Sequence, residues 1–238
     1  MTTKLKEQRF MQGVLANVGL FAGVPPAELA AVSRNAWVLA ARRGDVVLAA
    51  ETRLPGVFVV GYGLVKLALR TPDGRERVLR IVTAGQSFGA AAALLGRDSG
   101  YEARAVIDGK LVIVPSSAVC ALLDREPRFA RSMTKALAQR VVELSAELEA
   151  LSLYSSGERL ASYLDSLAQP ARENGGWTVR LPVSKTLVAA RLGIKKETLS
   201  RLLQRLAALG LIEVSRREIA IPDREALARA MNIHRDRM

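Results

Sequence analysis

The sequence is poor in the residues that metal sites, disulfides and most catalytic pairs require. Its 238 residues include one cysteine, Cys120, and one histidine, His234. A single cysteine excludes an intrachain disulfide, and it excludes an iron-sulfur cluster or a zinc site built from several thiolates of one chain. One histidine leaves little material for a Ser-His or Cys-His pair, and no glycine-rich phosphate loop ending in Lys-Ser or Lys-Thr occurs. We therefore predict no metal site and no enzymatic activity.

Long hydrophobic runs are also missing. Half of the residues are hydrophobic, but no apolar run approaches the roughly 20 residues that a membrane helix requires. The first ten residues lack the apolar stretch of a secretory signal, so we expect a cytoplasmic protein without membrane contacts. The length suffices for two domains with separate cores. The net charge of +12 is spread over both halves of the chain, and it suggests nucleic acid as a partner without locating the site.

The most specific pattern in the chain lies between Ser184 and Gly210. Two helices joined by a tight turn are predicted there, because Ala189 is small where the helices would cross and Gly193 tolerates the positive φ of the turn. The second helix is predicted to begin near Lys196 and to end at Gly210. This is the helix-turn-helix pattern of DNA-binding proteins.

The two faces of the second predicted helix differ in chemistry. Leucines 199, 202, 203 and 206 lie at core spacing, and polar residues recur on the opposite face. An arginine can bond O6 and N7 of guanine, and a glutamate can accept from N4 of cytosine. We therefore predict that Glu197, Ser200 and Arg201 contact bases. A merely solvated face is the alternative, but six basic residues stand against one acid over 184–205.

Phosphate contacts are predicted from the residues around this helix. They are Ser184, Lys185, Lys195, Lys196, Thr198, Gln204, Arg205, Arg216 and Arg217. The last two lie at the tip of a predicted β wing over 211–222, because apolar and polar residues alternate there, and 177–181 is predicted to pair with the wing. At the wing tip, a phosphate contact and a solvated turn are equal alternatives.

The stretch from about Ala40 to Pro115 predicts an all-β domain. Short β-rich runs, among them 57–60 and 64–69, are separated by glycines. Thr71–Gly74 is predicted to form a turn between two paired strands, because proline fixes φ and glycine accepts a positive φ. Strands at this spacing favour a sandwich or barrel, of which a double-sheet jelly roll is one solution.

After Pro127 the pattern becomes helical for about 25 residues. Apolar residues alternate at spacings of four and three, which favours a coiled coil. We predict a homodimer through Met133, Leu137, Val141, Leu144, Leu148 and Leu151, with a long helix packed on its own sheet as the alternative. The segment 155–157 is predicted to break the helix and act as a hinge, and 158–168 to form another helix.

The predicted fold class is therefore α+β, with a jelly-roll domain followed by a long helix and a winged helix-turn-helix. The predicted segments are an N-terminal arm over 1–19, an effector β-roll domain over 20–125, a dimerisation helix over 126–154, the hinge, a DNA-binding domain over 158–227 and a tail over 228–238.

This order of elements resembles the CRP/FNR family of transcription regulators from about Leu20 to Leu227. The runs Arg43–Val47, Gly63–Lys66, Asp73–Glu76 and Gly85–Gly89 are similar to the glycine pattern of the family's effector domain. Glu197–Arg201 is similar to the recognition-helix signature of the FNR branch, in which the glutamate, serine and arginine read a TTGAT-type half-site. The resemblance implies this role for Glu197, Ser200 and Arg201, and it implies a two-fold operator and a contact with RNA polymerase.

Within that branch, Leu181–Ala189 and Arg217–Glu225 are similar to the DNR-type, nitric-oxide-responsive regulators of denitrification. This similarity implies a haem, which normally takes an axial histidine or cysteine. His234 lies in the tail and Cys120 in an apolar helical stretch, so neither is a convincing ligand. An iron-sulfur cluster is excluded because it needs several cysteines. Oxidation of Cys120 and a constitutively active dimer are further alternatives.

The predicted effector pocket departs from that of the cAMP-binding members of the family. The resemblance implies a glutamate directly after Phe-Gly and an Arg-Ser pair about ten residues later. Here Ala90 follows the Phe-Gly pair, and Ser99 and Gly100 stand at the Arg-Ser positions, so the strongest contact for a phosphate is missing. The predicted pocket residues are Phe88, Gly89, Ala90, Ala91, Leu94, Ser99 and Gly100, and they suggest an apolar pocket that accepts a flat ligand or is filled.

We therefore expect control without cAMP. A cyclic-nucleotide-responsive regulator of the CRP type is one alternative. A nucleotide-sensing regulatory subunit that does not bind DNA is the other.

Overall fold

The structure is a computed structural model that describes residues 2–70, 76–171, 176–181, 183–215 and 218–230. It divides into two compact units, Met1–Val142 and Glu143–Met238. The boundary falls within a continuous helix, so the two units share one element of secondary structure. Within the described ranges, no helix has both the length and the apolar character needed to cross a bilayer.

The first unit is a β-rich domain flanked by helices. Its strands are β1 (Trp37–Ala41), β2 (Val46–Leu48), β3 (Gly56–Arg70), β4 (Glu76–Thr83), β5 (Ser87–Phe88) and β6 (Glu102–Pro115). Its helices are α1 (Thr2–Ala16), α2 (Pro26–Asn35), α3 (Ala90–Leu95) and α4 (Ser116–Arg125), with a short 3-10 turn at Gly19–Phe21. The strands form one antiparallel sheet in the order β1-β6-β3-β4, with β2 paired to β6 and β5 to β3.

Strand β3 corrects one prediction. The sequence predicts 57–60 and 64–69 as separate strands, but they form one strand that shifts register against β6 near Gly61 and Gly63. Glycines inside a strand often mark such bulges rather than breaks. Pairing of β3 with β4 confirms the predicted hairpin, while its turn over 71–75 lies outside the described residues.

The N-terminal residues belong to the same core rather than to a separate arm. Met11 and Leu15 of α1 are buried among the side chains of the sheet. A Cβ at position 61 would lie 2.7 Å from Cζ of Phe10, so glycine at this position lets α1 pack closely on β3. The predicted arm over 1–19 is therefore wrong as a structural division.

The long predicted helix is confirmed as α5, Pro127–Leu153, with 27 residues. Its first turns pack into the first unit, where Phe129 stacks on Phe21 with 5.1 Å between ring centroids. The helix ends at Leu153, and Ser155 is the N-cap of the next one. The predicted break at 155–157 is therefore displaced, because Ser156 and Gly157 already lie in α6 (Ser156–Leu167).

The start of α6 is fixed by a reciprocal cap. Oγ of Ser155 accepts from N–H of Glu158, and the Glu158 carboxylate accepts from N–H of Ser155 at 2.6 Å. These two bonds satisfy donors that a helix end otherwise leaves unpaired. The hydrogen bonds from Ser155 also hold the pKa of Glu158 below its usual range.

The second unit has the winged helix-turn-helix arrangement. After α6 come β7 (Gln169–Pro170), β8 (Trp177–Arg180), α7 (Lys185–Leu192), α8 (Lys196–Ala208), β9 (Glu213–Ser215), β10 (Glu218–Ile221) and α9 (Arg224–Ala230). The strands form an antiparallel sheet in the order β7-β8-β10-β9, so the wing and its predicted partner strand are confirmed. The predicted domain end at 227 is too early, because Ala228 of α9 is buried.

Candidate nucleic-acid interface

The turn between α7 and α8 has the predicted geometry. Helix α7 ends at Gly193, which has φ of +67° and lies in the left-handed region that favours glycine. Ala189 is almost fully buried at the helix crossing, where a larger side chain would separate the two helices. The Ser184 side chain accepts from N–H of Leu187 at 3.4 Å and caps α7, so this predicted phosphate contact also has a local structural role.

Helix α8 presents one apolar and one polar face, as the sequence predicts. Leu199, Leu203 and Leu206 are buried, and Leu202 is half-buried. The three predicted base-contacting side chains Glu197, Ser200 and Arg201 are all exposed, as are Gln204 and Arg205. Because the leucines hold the helix against the unit, its polar side chains remain available to a ligand in solution.

The remaining predicted phosphate contacts surround this face. Lys195 and Lys196 are exposed at the start of α8, while Lys185 and Thr198 are half-buried. The side chains of the helix start carry positive charge, and main-chain N–H groups at a helix N-terminus favour anions. Arg216 and Arg217, at the predicted wing tip, lie outside the described residues.

One basic residue of this segment forms an ion pair within the second unit. Arg191, in the last turn of α7, donates from Nη2 to Oε1 of Glu147 on α5 at 2.5 Å. It is one of the six basic residues that favour DNA in the sequence, yet it contacts the long helix. Periodicity does not reveal this pair, because the two residues are 44 positions apart.

A second ion pair connects secondary-structure elements of the second unit. The guanidinium of Arg224 on α9 bonds both carboxylate oxygens of Asp165 on α6, at 2.5 and 2.9 Å. It also lies 4.5 Å from the ring centroid of Trp177 on β8. The hydrogen bond with Asp165 raises the pKa of Arg224. These contacts join α6, β8 and α9, the elements behind the helix-turn-helix.

The predicted dimer contacts divide into two groups. Met133 is 2% exposed, so it serves its own unit and is not available to a second chain, which corrects the prediction for this residue. Leu137 is half-buried and packs against the same core. The other four form an exposed apolar stripe along the second half of α5, which we call the α5 stripe: Val141, Leu144, Leu148 and Leu151.

The residues predicted to form the effector pocket differ in burial. Phe88 is buried and stacks on Phe58 with 4.8 Å between ring centroids. Gly89 precedes α3, in which Ala90 and Leu94 are half-buried and Ala91 is exposed. Phe88 is therefore part of the packed core of the first unit.

Ser99 and Gly100, at the positions of the family's Arg-Ser pair, provide no guanidinium for a phosphate. The Ser99 hydroxyl is buried and donates to the carbonyl of Tyr101 while it accepts from the N–H of the same residue. Gly100 is exposed and has no side chain to contribute. The hydroxyl of Ser99 is thus used within its own turn.

Sequence reasoning missed two polar residues near this pocket. Tyr101 packs against the core and hydrogen-bonds to the backbone of Gly89. Burial raises the pKa of its phenol, and the nearby guanidinium of Arg80 opposes this shift. Arg80 pairs in register with buried Leu67 and donates to the carbonyl of Ser87 at 3.2 Å. Alternation from Arg80 to Val82 places it on the face of buried Val82, which was the available signal.

Comparison with known proteins agrees with this geometry. The Crp-like helix-turn-helix domain matches residues 158–230, and the cyclic nucleotide-binding domain matches residues 38–126. A CRP-like cAMP-activated global transcriptional regulator of Mycobacterium tuberculosis (strain ATCC 25618 / H37Rv) is 27% identical over 221 residues, which cover 92% of this chain and 99% of the relative.

Solved structures give the same result. One from Silicibacter pomeroyi DSS-3, whose name places it among the cAMP-binding regulatory proteins, is 30% identical, with a TM-score of 0.57 and coverage of 94% of this chain and 99% of that one. A transcriptional regulator from Thermus thermophilus is 25% identical, with a TM-score of 0.62 and coverage of 82% and 98%. The chain belongs to the CRP/FNR family of DNA-binding transcription regulators.

Proposed function

We propose that the chain is a homodimeric, sequence-specific regulator that reads a palindromic operator with TTGAT-type half-sites through α8. The observation that carries this proposal is the exposed polar face of α8 opposite its buried leucines. Glu197 and Arg201 are four residues apart and therefore lie one turn apart on one face. Together they match a G·C-containing step, with Ser200 beside them for a neighbouring base.

The dimer follows from the α5 stripe. Leu148 is 66% exposed in the single chain, and contiguous exposed apolar side chains mark an interaction surface. The spacing of four and three residues along the stripe fits a left-handed coiled coil of two copies. A two-fold pair of winged units then matches two half-sites about one helical turn of DNA apart.

We further propose that cAMP does not control this regulator. The phosphate would lack an arginine at positions 99 and 100, and Ala90 offers no carboxylate to a ribose hydroxyl. The Ser99 hydroxyl is engaged by Tyr101. Transcription control also requires a contact with RNA polymerase and a cytoplasmic location, both of which belong to the proposal.

The residues present do not fit a haem. A haem site normally supplies an axial histidine or cysteine, but the described ranges contain no histidine, and Cys120 is exposed on α4. His234 lies outside those ranges. Placement on the DNR-type branch therefore depends on the similarity of 181–189 and 217–225 alone, and we assign no haem chemistry to the protein.

Fluorescence anisotropy with three labelled duplexes tests the proposal. One duplex carries two TTGAT half-sites a helical turn apart, one carries a single half-site, and one is scrambled. We expect the tightest binding to the paired duplex, since two linked contacts raise the effective concentration of the second. Addition of cAMP is expected to leave the affinities unchanged. Equal affinity for the three duplexes would contradict the proposal that the protein reads paired TTGAT-type half-sites.

A charged substitution in the stripe tests the dimer. Leu148→Glu places a carboxylate in the apolar seam, so we expect monomers in sedimentation velocity and loss of the preference for the paired duplex. Val142→Glu is the matched control, because Val142 is 63% exposed on the same helix beside the stripe. Val142→Glu should remain a dimer. A dimer that persists in Leu148→Glu would show that the interface lies outside the α5 stripe.

A further inference from the structure

The ion pair between Arg191 and Glu147 joins the helix-turn-helix to the long helix. Both residues belong to the second unit. Their side chains are 26% and 27% exposed, and the donor–acceptor distance is 2.5 Å. A charge-assisted hydrogen bond of this kind is shorter and stronger than one between neutral groups. It takes Arg191 away from DNA phosphates, so its role is different from that of the exposed basic residues on α8.

Arg191 lies near the start of α8, so its ion pair with Glu147 can affect the position of that helix. Arg191 is two residues before the turn at Gly193 and five before Lys196, the first residue of α8. Tyr163 of α6 also lies close to its guanidinium, whose charge acts on the phenol. The ion pair thus fixes the end of α7 to α5, at the end of α8 that carries Glu197.

The position of Glu147 ties the same contact to the dimer. Glu147 directly precedes Leu148 and follows Leu144 by three residues, so it borders the α5 stripe at a position where coiled coils carry charged side chains. Paired α5 helices would hold this carboxylate at a fixed distance from the two-fold axis. The carboxylate then fixes the first helix of the helix-turn-helix in its own chain.

The connection between α5 and α6 is held as well. Nη1 of Arg159 donates to the carbonyl of Tyr154 at 2.7 Å, and Nη2 donates to Oγ of Ser156 at 3.3 Å. Together with the cap formed by Ser155 and Glu158, these bonds span the two residues between α5 and α6. The connection is therefore held at a point separate from the ion pair of Glu147 with Arg191.

We infer that Glu147 and Arg191 are positioning residues that set the orientation of α8 relative to the paired α5 helices, and with it the spacing of half-sites that the dimer accepts. This inference rests on the proposed homodimer. Neither residue touches DNA. Their effect is confined to binding that engages both recognition helices at once.

The ratio of affinities for the paired and the single half-site duplexes tests this role. Glu147→Gln and Arg191→Gln remove the charge pair with little change in volume. We expect each substitution to lower this ratio of affinities at least about fivefold, which corresponds to the interaction energies found between residues in contact. The ratio falls because avidity is lost when the geometry prevents both half-sites from being bound at once. Affinity for the single half-site should stay at its wild-type value. Glu225→Gln, in the exposed pair with Arg229 of α9, is the matched control and should leave the ratio unchanged.

The reversed pair, Glu147→Arg with Arg191→Glu, separates positioning from a loss of folding. It restores the attraction, so we expect it to recover most of the ratio. A wild-type ratio in Glu147→Gln, or a ratio that the reversed pair does not recover, would overturn the positioning role and leave the operator proposal intact. A wild-type protein with no preference for the paired duplex would overturn the proposed function and this inference with it.

Discussion

Recognition by α8 depends on side chains that differ in what they can distinguish. Arg201 and Arg205 are both exposed and lie one turn apart on the same helix. An arginine aimed at a base edge discriminates between base pairs, whereas one aimed at phosphate contributes affinity without sequence information. In the proposed arrangement Arg201 has the first role and Arg205 the second.

Alanine substitution of Arg201 and of Arg205, one at a time, distinguishes a base contact from a phosphate contact. We expect Arg201→Ala to cost about 1–3 kcal/mol on the preferred duplex and to relax specificity at one guanine. Arg205→Ala should weaken binding to all duplexes alike and reduce the salt slope by about one. Affinities for duplexes with each base at each half-site position, at two salt concentrations, measure both effects. If Arg205→Ala alone changed the preferred base, Arg205 would be the base contact and Arg201 the phosphate contact.

At the scale of elements, the stability of the second unit depends on the ion pair between Asp165 of α6 and Arg224 of α9. Asp165 is 4% exposed and is bonded in two places by Arg224. Removal of one partner of a buried ion pair leaves a charge without compensation. Arg224 keeps its contact with Trp177 and is 27% exposed, so solvent offsets part of the loss.

Asp165→Ala is therefore expected to lower the free energy of unfolding of the second unit by about 2–3 kcal/mol. The exposed pair of Glu225 and Arg229 provides the comparison, and Glu225→Gln should change stability by less than about 0.5 kcal/mol. Urea unfolding of both variants in a Trp37→Phe background, followed by the fluorescence of Trp177 and by circular dichroism, measures the difference. Equal stability of the two variants would show that the Asp165 pair is not what holds α6, β8 and α9 together.

Elements with strong local signals could be predicted from the sequence. Gly193 identifies the turn because few other residues adopt its φ, and alternation identifies the wing strands. The prediction for Met133 is wrong because a period of 3.5 shows that a side chain faces apolar surroundings, but not whether they belong to the same chain or to another. The glycines of β3 mislead for a similar reason, since strand breaks and bulges share one signal.

Contacts between distant parts of the chain could not be predicted in this way. Arg191 and Glu147 each look like ordinary surface charges in the sequence, and only the fold brings them together. The same holds for Tyr101 and Arg80, two polar residues that the fold brings together beside the residues predicted to form an apolar pocket. Spacing rules describe neighbours along one element, and these pairs lie on different elements.

At the scale of the whole molecule, the two properties required of a regulator lie on different surfaces. In the proposed arrangement the polar face of α8 supplies specificity, and the α5 stripe supplies the two-fold pairing. A single winged unit contacts few base pairs, so its discrimination against the many non-specific sites of a genome is small. Pairing doubles the number of contacts and makes the second binding event intramolecular.

Selection of bound sequences from a library of random duplex DNA tests this combination most directly. We expect the wild-type protein to enrich a two-fold symmetric site whose halves resemble TTGAT and lie about one helical turn apart. Leu148→Glu in the same selection is expected to enrich isolated half-sites or none. Enrichment of an asymmetric site, or no enrichment over the starting library, would contradict the proposal that paired chains read DNA through Glu197, Ser200 and Arg201.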